Sequence, residues 1–315
     1  MIFRANFYPN YIVTFPLCDK LQGSQLSNCT RPEKNLVKGF LSKKSKLLMI
    51  KALSWLYLFS TYKKLKSKKD KLFCEFRLNF ITLTLSDAQQ HSDDYIKIHM
   101  LSPFLKWLSR CNVKHYVWKA EAQDNGNIHF HISTNKFIYW RKIRDKWNHI
   151  QFKNGYLNQR LNHGKDLDPN STDVHAVRSE KGYVSYMTKY MSKDFEERKN
   201  FKPESLKVFC NSELERQLAS MSIADAGISA IKRPIEGKLW ACSRDLLNIR
   251  VSFDTRNPSY GDVVIKTCKD LKAQFRKHDY CDTWRHGMIN MNTKLHPELA
   301  EAYSKAYNEF HRINP

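Results

Sequence analysis

The sequence predicts an α+β protein. Three observations carry that class: a stretch that alternates with period two, two strand-like runs joined by a tight-turn signal, and helical segments beside them. In Phe80-Ile-Thr-Leu-Thr-Leu85, Ile81, Leu83 and Leu85 share one face and Thr82 and Thr84 the other, the pattern of a half-buried strand. Asp93 to Asn112 reads as an amphipathic helix N-capped near Ser92, with a kink or break expected at Pro103. Tyr116–Gln123 and Ile128–Thr134 are the second and third strands, and Asp124-Asn125-Gly126-Asn127 between them signals a hairpin. Residues 139–150 form a short helix with Trp140 and Trp147 on one side. A polar, Gly- and Asn-rich stretch covers 153–173, Val174–Val177 is a short strand, and a further helix runs from about Glu180 to Lys193.

The flanks read differently. Residues 1–35 contain Pro9, Pro16, Gly23 and Pro32 and show no periodicity. From 36 to 69 a helical pattern emerges in a lysine-rich setting, a basic N-terminal arm that is partly helical and suited to tracking phosphates. Its most apolar window, Leu47 to Phe59, is too short and, with Lys51, too charged to cross a bilayer. After about residue 203 the texture changes. Glu213–Met221 and Val263–Lys277 look helical, Lys238–Ile249 mixed, and Pro297–His311 a terminal helix, so the C-terminal region is expected to be mostly helical. The division expected is 1–70, 71–203 and 204–315.

A formal net charge of +22 favours a polyanionic partner, with nucleic acid first. The eight cysteines form no C-x-x-C pair, which argues against a zinc ribbon or disulfide framework and for reduced thiols in a cytosolic compartment. No signal peptide is evident. No G-x-x-x-x-G-K-[ST] occurs, so the sequence shows no P-loop ATPase.

In Ile128-His-Phe-His-Ile132 the apolar residues point one way and His129 and His131 the other. Alone, an H-x-H is weak evidence for a metal. The turn strengthens it: a three-residue Asp124-Asn125-Gly126 loop, with Gly126 left-handed, sets Glu121 opposite His129 and Lys119 opposite His131. A two-residue Asn-Gly turn would instead pair Glu121 with Phe130 and turn the carboxylate to the wrong face. Glu121, His129 and His131 would then converge on one divalent cation, Mn²⁺ or Mg²⁺ given mixed imidazole and carboxylate ligation.

Tyr186-Met-Thr-Lys189-Tyr190-Met-Ser-Lys193 repeats Tyr-x-x-Lys in tandem. Positions i and i+4 share a helix face, so two phenols and two lysines could serve one phosphate; Tyr183, lacking the motif, is read as structural. The chemistry suggested is transesterification. A tyrosine oxygen attacks phosphorus, a 5′-phosphotyrosine forms and a 3′-hydroxyl leaves, and rejoining needs no ATP.

These motifs resemble those of the HUH endonucleases, specifically rolling-circle replication initiators. Phe80–Leu85 is similar to the first motif, and Glu121 with His129-Phe-His131 to the second. Tyr186-x-x-Lys189-Tyr190-x-x-Lys193 looks like the two-tyrosine third motif of the gene A proteins of small single-stranded DNA phages. The run from Tyr116 to His131 is similar to initiators of Bacteroidetes plasmids and phages. The resemblance covers roughly residues 72–203. It implies a central antiparallel sheet with flanking helices, a ferredoxin-like variant, with the histidines on a central strand and the tyrosine helix packed against it. It further implies nicking of single-stranded DNA at an origin hairpin in a bacterial host cytoplasm, with helicase and polymerase supplied by the host.

Other readings stay open. A mobilisation relaxase or transposase would use the same chemistry, although the motif order and the doubled tyrosine favour an initiator. A histidine-triad hydrolase is disfavoured by Ser133, which stands where that motif needs a third histidine. A non-catalytic nucleic-acid-binding protein would draw on the charge and on Trp118, Trp140 and Trp147.

Overall fold

The computed structural model describes residues 3–16, 39, 41, 43–60, 63–66, 73–76, 78–165, 167–177, 233–254, 256, 258–277, 282–286, 289 and 293–312. Two five-stranded antiparallel sheets dominate them. The first joins β1 (Phe3–Tyr8), β2 (Tyr11–Pro16), β10 (Val251–Asp254), β11 (Gln274–Lys277) and β12 (Asp282–Arg285) in the order β10-β1-β2-β12-β11. The second joins β5 (Leu78–Leu83), β6 (Tyr116–Ala122), β7 (Ile128–Thr134), β8 (Thr172–Val177) and β9 (Trp240–Cys242) in the order β8-β5-β7-β6-β9. A short hairpin, β3 (Lys63–Lys66) with β4 (Phe73–Phe76), precedes the second sheet.

Each face of the second sheet is occupied differently. Ile81, Leu83, Trp118, Ala120, Phe130 and Ile132 face one way into a buried core. That core is closed by α2 (Asp93–Ile96), a π-helical turn at Lys97–Leu101, α3 (Ser102–Arg110) and α4 (Trp140–Lys153). Ser92 caps α2 as the sequence predicts, its hydroxyl accepting from the Tyr95 N–H at 3.2 Å. The expected break at Pro103 is instead the π turn just before it. Ser102 N–H bonds to the Lys97 carbonyl five residues back, and Pro103, which has no N–H, falls in the first turn of α3, where none is needed. The polar stretch after α4 holds the short helix α5 (Asn158–Asn162).

On the opposite face, Leu78 and Val117 join a second core with α1 (Lys43–Phe59), Ala5, Phe7 and Ile12 of the first sheet, and the helices α6 (Arg244–Asn248), α7 (Pro258–Asp270) and α8 (Pro297–Arg312). This corrects three expectations. The basic N-terminal arm is not an arm where it is helical: Met49, Ala52, Leu53 and Trp55 through Phe59 of α1 are all buried. A helix apolar on every side belongs in a core. Lys51 donates to the Leu247 carbonyl at 3.1 Å and lies over the Tyr8 ring, so it is engaged within the protein; burial lowers its pKa, and Arg250 adds to the effect.

The N-terminus, without visible periodicity, is a hairpin in which Tyr8 pairs with Tyr11. Pro9 and Asn10 are its two turn residues, a role in which proline's preset φ is an asset. The C-terminal region is not mostly helical among the described residues. It contributes β10, β11 and β12 to the first sheet, and the helix expected over 263–277 ends at Asp270, before β11. Glu213–Met221 lies outside the described residues.

Candidate metal centre

The turn between β6 and β7 decides where the site residues face. Gln123 N–H donates to the Asn127 carbonyl at 2.8 Å and Gly126 N–H to the Gln123 carbonyl at 3.0 Å, leaving Asp124, Asn125 and Gly126 as a three-residue loop. Gly126 has φ +83°, the left-handed conformation that glycine adopts without steric cost. The register that follows pairs Glu121 with His129 and Lys119 with His131.

All four side chains therefore lie on the face away from α2–α4, in the middle of the sheet. Glu121 Oε1 is 2.8 Å from His129 Nε2 and 3.0 Å from His131 Nε2. Lys119 Nζ stands 3.5 Å from Glu121 Oε2. Glu121, Lys119 and His131 are buried, and His129 is nearly so. Among the described residues this is the one group whose ligand atoms gather closely enough, within 4.8 Å of one another, to hold a metal ion.

Burial alone would raise the Glu121 pKa. Hydrogen bonds from His129 and His131, then the charges of His131 and Lys119, outweigh it and hold the carboxyl well below the usual carboxylate range. Burial lowers the pKa of His131, with His129 and Lys119 adding to the effect against the opposing pull of Glu121. An ionised carboxylate and a neutral imidazole are the protonation states that a divalent cation requires of its ligands.

A neighbour on β5 fits the same requirement. Thr82 pairs with His131 across the β5–β7 ladder, and its Oγ1 is 3.2 Å from His131 Nδ1. A threonine hydroxyl can donate or accept. With the imidazole proton on Nε2, that N–H points at Glu121 and the hydroxyl donates to Nδ1. With the proton on Nδ1, the hydroxyl accepts it and Nε2 presents a lone pair to a cation. Metal-bound histidines commonly have such a partner on the second nitrogen. Phe80, one pleat along β5, packs its ring 5.4 Å from the His131 ring.

The hairpin is also held from outside. Arg233 donates to the Gly126 carbonyl in the turn, to both oxygens of Asp93 (2.7 and 2.8 Å) and to Gln89 Oε1 (3.0 Å). Gln89 Oε1 in turn accepts from the Ile128 N–H at 2.7 Å, one residue before His129. Burial works to raise the Asp93 pKa, but its bonds with Arg233, Gln89 and the Glu236 N–H bring it below the ordinary value.

Of the sequence-predicted site residues, Glu121, His129 and His131 come together. Tyr186, Lys189, Tyr190 and Lys193, with Tyr183, lie outside the described residues. Thr82, Arg233 and Gln89 support the site although no motif singles them out. Thr82 is visible as the polar member of an alternating strand, but nothing local gives the β5–β7 register. Trp147 is fully buried, donating to the Thr84 carbonyl at 2.7 Å, and Trp118 is buried too, so neither is a nucleic-acid platform. The expectation that Trp140 shares the side of Trp147 is corrected: Trp140 is exposed at the start of α4, where the helix core below it has ended.

An α+β fold with a carboxylate and two imidazoles gathered on the open face of an antiparallel sheet defines a protein with a candidate divalent-cation centre. The family model for replication-associated protein ORF2 matches residues 78–195, from the first residue of β5 through the hairpin and past both paired tyrosines, and over that segment the chain has the sequence pattern of a replication-associated protein. No curated protein and no solved structure was found to match the chain. None of the helices among the described residues is long and apolar enough to cross a membrane.

Proposed function

We propose that this protein initiates rolling-circle replication by nicking and rejoining single-stranded DNA at an origin. The observation that carries the reading is the convergence of Glu121, His129 and His131 on one sheet face within the segment that matches a replication-associated family. Bound there, Mn²⁺ or Mg²⁺ would polarise the scissile phosphodiester and offset charge on its non-bridging oxygens.

The protein's own groups do the rest. Glu121 contributes the negative charge that makes the cradle selective for a cation, and Thr82 holds His131 in the tautomer that ligation needs. A phenol oxygen of Tyr186 or Tyr190 forms the new bond to phosphorus, the bond from phosphorus to the 3′-oxygen breaks, and the proton lost by the phenol is matched by the one gained by the leaving 3′-hydroxyl. Lys189 and Lys193 stabilise the phenolate and the phosphate. With the bond energy conserved in the 5′-phosphotyrosine, the second tyrosine can accept the next strand before the first is released. The host would supply helicase and polymerase, and the reaction would proceed in the bacterial cytoplasm.

The test is a trapping assay with Mn²⁺ and single-stranded origin oligonucleotides. A denaturation-resistant protein–DNA adduct is expected from the wild type, a reduced one from Tyr186→Phe or Tyr190→Phe, and none from the double variant. Tight DNA binding with no adduct under any divalent metal would leave a non-catalytic DNA-binding protein.

A further inference from the structure

The segment joining β7 to α4 puts three large aromatic side chains on the surface within four residues. Phe137 is 36% exposed, Tyr139 51% and Trp140 42%. The Tyr139 and Trp140 rings lie 5.5 Å apart, and the Arg144 guanidinium sits 4.7 Å from the Trp140 ring centre. Solvent-exposed aromatics in such a cluster mark an interaction surface.

Charge identifies the kind of partner. Residues 136–146 carry Lys136, Arg141, Lys142, Arg144 and Lys146 against a single carboxylate, Asp145. Residues 140, 141, 144, 145, 148, 149 and 152 recur at helical spacing on the outward side of α4. Farther along that side lies an open cavity of about 450 Å³, lined among others by Arg141, Asp145, His149, Phe152, Leu157 and Leu167. Its volume is within the range, roughly 300–1,000 Å³, of small-molecule sites, large enough for a nucleobase. Phe152 is itself 46% exposed at its edge.

We propose that the outer side of α4 binds single-stranded DNA, with bases stacked on Tyr139 and Trp140, phosphates met by Arg141 and Lys142, and one base seated in the adjoining cavity against Phe152. Aromatic faces interleaved with cations suit an unpaired strand, whose bases are free to stack, better than a duplex or an acidic protein. This surface is not the metal centre. It flanks the helices that cover the opposite face of the sheet, and Trp140 follows the end of β7 away from the hairpin turn. It rests on the proposed function only for the identity of the strand. Its contribution is affinity, not chemistry.

The experiment uses the full chain and a fluorescein-labelled oligothymidine 20-mer, followed by anisotropy, with adduct formation on an origin oligonucleotide measured in parallel. A Tyr139→Ala/Trp140→Ala double variant should bind between about 5- and 150-fold more weakly. Trp140→Phe should stay within about twofold of wild type, and Phe152→Ala should weaken binding separately. Arg141→Ala/Lys142→Ala should flatten the salt dependence by roughly 0.7 for each phosphate that the variant no longer meets. Adduct yield at saturating DNA, and Mn²⁺ binding, should be unchanged in the aromatic variants, which sets them apart from misfolded protein. Wild-type binding and adduct formation with an unaltered titration in the double variant overturns the α4 surface and leaves the nicking reading intact. Loss of both binding and adduct in the wild type overturns both. Equal competition by polyglutamate, unaffected by the aromatic substitutions, would reduce the surface to a basic patch and also overturn the proposal.

Discussion

Replacing Glu121 by glutamine keeps the side chain's shape and one acceptor for the two imidazoles but removes the charge at the centre of the cluster. In the wild type the carboxylate oxygen lies 2.8 and 3.0 Å from the two Nε2 atoms, so a cation between them would have three protein ligands. Losing a partner that merely supports a ligand typically costs ~10–100-fold in metal affinity, and losing the anionic ligand itself should reach at least the upper end. At Mn²⁺ one hundred times the wild-type dissociation constant, binding stabilises the fold by about 2.7 kcal/mol. A hundredfold weaker variant at the same concentration gains only about 0.4 kcal/mol. At roughly 2 °C per kcal/mol for a large domain, the Mn²⁺-induced rise in Tm should fall from about 5 °C to about 1 °C. The comparison is made within each variant, with and without metal, so the lower starting stability expected when Lys119 loses its counter-charge 3.5 Å away does not enter. A full Tm rise retained in Glu121→Gln would show that the carboxylate is not a ligand. No rise in either protein would remove the metal centre altogether.

Thr82→Val removes the group that bonds His131 Nδ1 and should weaken Mn²⁺ binding about tenfold with little change in metal-free Tm, as read by calorimetric titration. Arg233→Met leaves the buried Asp93 carboxylate with Gln89 and a backbone N–H and should cost about 3 kcal/mol in urea unfolding at neutral pH. Because the Asp93 pKa is lowered in the fold, the stability it contributes is present above its ordinary value of 3.8 and is lost as pH falls through the depressed value. The stability gap between wild type and Arg233→Met should therefore close below about pH 4. A gap independent of pH would remove the ion pair as its cause.

What the sequence revealed of the site was what depends on neighbours along the chain. Turn chemistry at Asp124–Gly126 sets the hairpin register, and the register sets which side of the sheet receives Glu121, so the cluster followed from about a dozen contiguous residues. The Thr82–His131 contact joins strands 49 positions apart, and periodicity carries no information on which strands pair. The same limit hid the first sheet, where β1 pairs with β10; there the prolines at 9 and 16 read as breakers when one occupies a turn and the other a strand end. Trp140 and Trp147 share a helical phase, but phase does not say where the core beneath a helix stops. The helix over Leu47–Phe59 was visible as apolar, yet its lysine-rich flanks suggested a surface arm in place of the core helix that its all-round hydrophobicity requires.

The central claim is that a cation held by Glu121, His129 and His131 and a phenol oxygen of the paired tyrosines act on one phosphate. Peptide mapping by mass spectrometry of protein incubated with Mn²⁺ and origin oligonucleotide tests it most directly. The account predicts a nucleotide mass attached at Tyr186 or Tyr190, formed by wild-type protein and abolished both by chelator and by Glu121→Ala. DNA attached at any other residue, or an adduct indifferent to chelator and to Glu121→Ala, would contradict it.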